Sequence, residues 1–428
     1  MRRFWVSLVV CSCVAGAATP AYAVLYELEN TFISPSPSTV GSFGFSVAGL
    51  EGDVLVGENA NDTGAFNSGA VHLFNGVTGD LVRTFLNPSP AANDGFGFAA
   101  AGHTGKILVG VPLANEAYLF DASTGNLLRT FVSPHPNGSG EFGRSVAFFG
   151  NDVLVGERHG DEPTSQGRGP GVAYLFSGET GDLIRTFHNP NSASDDQFTD
   201  SFGVSVATFG NEVPIGAPFE DAGAHDAGAA YLFNPDTGEL LRTFVSPSPS
   251  ESGSFGISVA GKDGKVLIGA VNDSAVGAAY LFDASTGGIL QTFSNPSLTS
   301  LPACDDFGYS LAFAGANALI GTFPNCAEFP TAGSAYLFNT QTGNLLQSFM
   351  STNPAPFDRF GFSVASVGDD VLIGAPQDSR AGDRAGAAYL YRIAPVEQGG
   401  PVVPEPSSLF LLGSGLLGLI GCRRQRPS

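Results

Sequence analysis

Tryptophan is almost missing from this 428-residue sequence: the sole one, Trp5, lies in the N-terminal leader. The rest of the chain therefore lacks the side chain best suited to stack on sugar rings or cap a large aromatic cofactor. Positive charge is also scarce, with 19 Lys and Arg against 40 Asp and Glu. Arg2, Arg3, Arg423, Arg424, Arg426 and Glu405 belong to the two ends, which leaves 14 basic against 39 acidic residues and a net charge near −25. Nucleic acid and anionic lipid are excluded as partners, because both would be repelled. Of five cysteines, Cys11, Cys13 and Cys422 sit in the ends, and only Cys304 and Cys326 remain. In an oxidising compartment these two are expected to pair, stapling two long loops. No apolar run reaches the roughly 20 residues that a bilayer-spanning helix needs, and helical periodicity is absent throughout.

The ends are organised differently from the middle. Residues 1–23 combine Arg2 and Arg3, an apolar run from Val6 to Ala18, and Ala21-Tyr22-Ala23. This is the pattern of a secretory signal, with cleavage expected between Ala23 and Val24. Near the C-terminus, Pro404-Glu405-Pro406 precedes an apolar stretch from Leu409 to Cys422 and then Arg423, Arg424 and Arg426. Basic residues there would hold the terminus in the cytoplasm. The three elements in that order resemble the PEP-CTERM sorting signal of bacterial exported proteins. The resemblance implies recognition by exosortase-type machinery, transient membrane anchoring through this segment, and delivery to the cell surface or extracellular matrix. The expected domains are a signal peptide (1–23), a central domain (24–395), a linker (396–406) and a sorting or anchor segment (407–428) containing a short apolar helix.

What fills the middle is a repeat. Phe-Gly recurs at 43, 96, 142, 202, 255, 307 and 360, with steps of 53, 46, 60, 53, 52 and 53 residues. One supersecondary unit of about fifty residues has been copied seven times. In the unit from Phe255 to Phe293, an alternating strand (Phe255 to Ala260) turns at Gly261 to Gly264 into a continuously apolar strand (Lys265 to Ala270). A polar loop leads to a third strand, Gly277 to Phe282, and a tight turn to a fourth, Ile289 to Phe293. Four short antiparallel strands per unit predict an all-β, seven-bladed β-propeller. The seventh unit lacks a fourth strand, and Leu28-Glu-Asn-Thr-Phe32 matches the missing pattern, so the N-terminal strand is expected to close the ring and hide its edges.

Phe-Gly at the head of strand one, Gly-Ala-Pro at 216–218 and 374–376, and Tyr-Leu-Phe in strand three resemble the FG-GAP repeat of the integrin α-subunit propeller. The resemblance spans residues 25–393 and implies extracellular binding or adhesion. Calcium-binding members of that family carry an acidic loop between strands one and two. Here that connection is a hairpin such as Val367-Gly-Asp-Asp370, too short to supply six oxygens.

Other motifs reduce to packing. Gly361-Phe-Ser-Val-Ala365 and its copies look like a hydrolase nucleophile elbow, but the Ser lies within a strand and becomes Ala99 in blade two. Asp121-Ala-Ser-Thr-Gly125 resembles a turn of quinoprotein repeats, whose docking Trp is absent here. His72 replaces a strand Tyr and reads as structural. The Arg-Thr-Phe arginines, on the outermost strand, read as guards against edge pairing.

The long connections emerge on one face and hold Glu58, Asp62, Glu157, Asp161, Glu162, Glu220, Asp221, Asp226, Asp273, Asp378 and Asp383. These form the candidate binding face, since loops on a rigid scaffold carry recognition; alternatively they only keep an exported protein soluble. His159 near Asp161, and Asp221, His225 and Asp226 together, offer cation ligands without a repeating spacing, so no metal or cofactor is expected. The expectation is a non-enzyme: a surface- or matrix-associated binding, adhesion or structural propeller whose partners are extracellular polysaccharide or surface protein. The alternative is a lyase or hydrolase acting on extracellular polysaccharide.

Overall fold

In the computed structural model, residues 26–134, 140–160, 169–191, 200–273, 276–297, 305–324 and 331–394 are described. The signal cleavage site (Ala23, Val24), Asp161, Glu162, Cys304, Cys326, the Pro404-Glu405-Pro406 motif and the C-terminal apolar helix all lie outside them. The chain divides into two units, Met1–Ile393 and Ala394–Ser428. The first contains 28 strands arranged as seven four-stranded antiparallel sheets. Six sheets are consecutive meanders. The seventh joins Ser363–Val367, Asp370–Ala375 and Ala387–Ile393 to the N-terminal strand Tyr26–Ile33, which pairs antiparallel with Ala387–Ile393. The molecule is thus a seven-bladed β-propeller closed by its own N-terminal strand.

The strands form where alternation and β-branched residues place them. Second strands such as Lys265–Ala270 are buried on both sides, which is why they read as unbroken apolar runs. The first strand of that blade continues through Gly261 to Lys262, two residues into the expected turn.

The core lies between blades. Every Phe of a Phe-Gly pair is fully buried. The outer-strand Phe of one blade packs on the third-strand Phe of the next, as Phe85 does on Phe120 at 5.4 Å and Phe187 on Phe233 at 5.3 Å. That second ring in turn meets its own blade's Phe-Gly ring edge-on, as in Phe96 and Phe120 at 5.9 Å. Fully burying each such ring contributes roughly 1.5–3 kcal/mol. At the seam, Phe32 of the closing strand meets Phe74 of the first blade at 4.9 Å, so closure repeats the ordinary interface.

Three tiers of polar contacts tie neighbouring blades. Around the axis, Ser46, Ser145, Ser205, Ser258, Ser310 and Ser363 each donate through Oγ to the carbonyl of the next blade's Phe-Gly glycine at 2.6–2.8 Å. At the outer turns, the Arg-Thr-Phe arginines reach the next blade rather than merely guarding an edge. Arg83 donates to the Ser123 carbonyl at 2.8 Å, and Arg185 to those of Pro235 and Thr237. In blades five and six Gln291 and Gln347 take this role, and Gln347 exchanges two 2.7 Å bonds with the backbone of Tyr26. The third tier involves the acidic residues.

Candidate functional site

Five of the eleven acidic residues expected to form a binding face are buried: Glu58, Glu157, Glu220, Asp273 and Asp378, none more than 2% exposed. Each is placed at the end of a second strand or just after it, where the fourth strand of the preceding blade turns away at a Ser or Asn. Ser34 donates to Glu58 at 2.8 Å, Ser133 to Glu157 at 2.7 Å, and Asn189 to Glu220 at 3.0 Å; Ser246 pairs closely with Asp273. The third strand completes the knot. His72 Nε2 lies 2.9 Å from Glu58, Tyr280 donates to Asp273 at 3.0 Å, and Tyr389 to Asp378. Burial, with the neighbouring carboxylates, pushes the Tyr231 and Tyr389 phenols well above their ordinary value, so both stay protonated donors. These carboxylates hold the blades together, which corrects their assignment to an exposed face. Of the remainder, Asp62, Asp221 and Asp383 are exposed and Asp226 is half-buried.

Asp358, two residues before the seventh Phe-Gly, joins Asp378 and Tyr389 in a buried group, with the more exposed Arg380 on Asp378, that sequence reasoning missed. Burial raises the Asp358 carboxyl to about 6, the Ala355 amide opposes this, and Asp378 adds to it. His159 is also buried and accepts from Arg158 Nε at 2.9 Å. The ligand atoms of Asp221, His225 and Asp226 lie within 4.8 Å of one another. His225 Nδ1 is 3.2 Å from Asp226, and Asp221 accepts the Asp226 amide at 2.8 Å. Asp62 accepts the Asn67 amide in the same way in blade one, so the Asp221 contact belongs to the loop's fold.

A different position gathers side chains at the axis, six of them half-buried and Phe362 buried. Each Phe-Gly forms the centre of a turn in which the residue after Gly donates its amide to the carbonyl two residues before Gly, as Phe98 does to Gly95 at 3.0 Å and Arg144 to Glu141 at 3.1 Å. The glycine takes φ near +90°, as the third residue of a type II turn must. The turn aims the following side chain into the channel mouth. Phe45, Phe98, Arg144, Val204, Ile257, Tyr309 and Phe362 line a cavity of about 170 Å³ there. Beyond it the axis widens to a cavity of about 410 Å³, lined largely by Ala, Gly and Val of the inner strands.

The mouth is one-sided. Phe45 contacts both Phe98 (4.7 Å) and Phe362 (4.8 Å), Phe362 contacts Tyr309 (5.1 Å), and Tyr309 stacks on Phe323 (4.9 Å). Val204 and Ile257 form the facing aliphatic wall. Arg144, between the two walls, lies 4.6 Å from the centre of the Phe98 ring. Among the described residues, no carboxylate or histidine lines either axial cavity. The signal was present in the sequence: in F-G-x-S-V-A, x is the position at which the blades differ most.

The FG-GAP repeat family model matches residues 192–233 and 346–391, and the PEP-CTERM protein-sorting motif matches residues 402–425. No curated protein matches the chain. The sorting motif implies recognition by exosortase machinery and, with the propeller, points to an extracellular or surface protein. The chain is thus a seven-bladed β-propeller bearing FG-GAP repeats and a PEP-CTERM sorting motif.

Proposed function

We propose that this exported protein is a non-catalytic recognition module of the cell surface or extracellular matrix, binding its ligand at the channel mouth. The observation that carries this reading is the contrast within one repeat. The scaffold positions of F-G-x-S-V-A barely vary around the ring, while the side chain that the scaffold delivers to the axial cavity changes from blade to blade. A residue needed only for packing would repeat with the scaffold; a residue that reads a ligand need not. A polysaccharide lyase or hydrolase requires paired acid and base groups facing a cavity. The buried carboxylates face Ser, Asn, Tyr, His and Arg partners instead, and among the described residues no carboxylate lines the axial cavities.

The test is a glycan array and surface-protein pull-down with the purified protein, with and without divalent cations, beside an assay for new reducing ends. Saturable binding that Ile257→Trp abolishes by filling the mouth, without depolymerisation, is expected. Depolymerisation lost on Asp358→Asn or Asp378→Asn would establish the enzyme instead. Binding that requires a cation and is lost on His225→Ala would move the site to the Asp221, His225 and Asp226 loop.

A further inference from the structure

One pairing rule runs around the ring and is broken once. Two residues after each outer-strand Phe stands a Ser or an Asn, and two residues before the Phe-Gly that follows stands a Gly or an Asp. Blades one, three and five join Ser to Gly, as in Ser34 with Gly41; blades two, four and six join Asn to Asp, as in Asn87 with Asp94. Blade seven alone joins a Ser to an Asp, Ser351 to Asp358.

The asparagine serves the acid. Asn87 donates its side-chain amide to Asp94 at 2.9 Å, and Asn189 donates to Asp200 at 2.6 Å. Ser351 Oγ instead lies 3.4 Å from the Tyr389 hydroxyl. Asp358 keeps the backbone bond of its blade-two counterpart, from the Ala355 amide at 2.7 Å as Asp94 has from Ala91 at 2.6 Å, but among the described residues it has no side-chain donor. Nor does the pocket supply a substitute. The Arg380 amide (2.9 Å), Arg380 Nε (3.2 Å) and the Tyr389 hydroxyl all donate to Asp378. Asp358 is 2% exposed, and a buried carboxylate short of donors favours its neutral form. The charged groups that act on it are Asp378, which adds to the rise to about 6, and Arg380, which opposes it.

We propose that Asp358 is a proton switch at the junction of blades six and seven, seated tightly when protonated and loosened when ionised. Its segment forms that junction: the Phe357 amide donates to the Thr331 carbonyl at 3.0 Å and the Phe360 amide to that of Ala332 at 2.8 Å, both on blade six. A carboxyl near 6 in the folded chain and about 3.9 in the unfolded one stabilises fully below about pH 4, and the stabilisation is lost as the pH rises through about 6.

Chemical denaturation of the purified protein between about pH 4.5 and 7.5 tests this. Relative to Asp358→Asn, which cannot ionise, the wild-type folding equilibrium is expected to fall by about tenfold or more across the range. The other carboxylates are common to both proteins and cancel. Ser351→Asn restores the pairing of blades two and four and should flatten the profile by stabilising the ionised form. Parallel profiles for wild type and Asp358→Asn overturn the proposal, and so does a Ser351→Asn profile with the wild-type slope. If neither variant folds, hydrogen exchange of the wild type decides. The Phe357 and Phe360 amides, corrected for intrinsic rate, should be more strongly protected at the acidic end, and equal protection overturns the proposal. Both measurements are independent of any ligand, so they stand apart from what the channel mouth recognises.

Discussion

All seven Phe-Gly glycines have φ between +85° and +94°, and their surroundings exclude a side chain as well. A Cβ on Gly361 would stand 2.1 Å from the Ser334 carbonyl oxygen, and one on Gly44 would stand 2.3 Å from that of Ala387. The Ser two residues on follows from the same crowding: its hydroxyl is small enough for the axis and satisfies the next blade's glycine carbonyl. Blade two carries Ala99 at this position, so the ring of six serine latches is open at one joint. Ala99→Ser is expected to close it onto the Gly143 carbonyl and stabilise the protein by about 0.5–1.5 kcal/mol. Chemical denaturation of the variant should show a higher midpoint at unchanged slope. Repetition identified these serines as structural from the sequence alone, but their acceptors lie 50 to 58 residues away, or 319 for Ser363.

Each blade with a described pocket carries a buried or half-buried acid under its third-strand Tyr or His, supplied from alternative places. Glu58 and Glu157 come from the end of the second strand, Asp94 and Asp358 from two residues before Phe-Gly, and Glu220, Asp273 and Asp378 from the loop after the second strand. The alternatives exclude one another by volume. Where the second strand ends in Glu, the residue before Phe-Gly's neighbour is Gly41 or Gly140, and a Cβ there would stand 2.6 Å from Glu58 or 1.9 Å from Glu157. Blade two has Asp94 with Val111 in place of that Gly and Glu. Transplanting its arrangement into blade three gives a specific expectation. Gly140→Asp alone should destabilise by clash and like charge, and Glu157→Val alone by leaving Ser133 without its acceptor. Each should cost about 1–3 kcal/mol, and the double variant should recover most of the loss, read as coupling in a double-mutant cycle. Read linearly, the acids look like scattered loop charge. Alternating sources hide a common destination, so burial could not be anticipated from spacing.

Closure concerns the molecule entire. The strand Tyr26–Ile33 supplies the outer edge of blade seven, places Phe32 on Phe74, exchanges bonds with Gln347, and ends at Ser34 on Glu58. Deleting residues 26–33 should leave the Ala387–Ile393 edge unpaired and the seam between blades seven and one without its aromatic contact. Self-association visible by light scattering, with a broadened and lowered thermal transition, is the expected outcome. A monomer with unchanged melting would show that the ring does not depend on this strand.

Strand number, blade boundaries, the closing strand and the C-terminal sorting motif were all readable along the chain, because turn chemistry, alternation and sorting motifs act over a few residues. Which acids are buried, what the outer arginines hold, and which seven side chains meet at the axis were settled only by folding. Those partners are a blade apart or further, and a repeat specifies each unit's interior long before it specifies what neighbouring units do to one another.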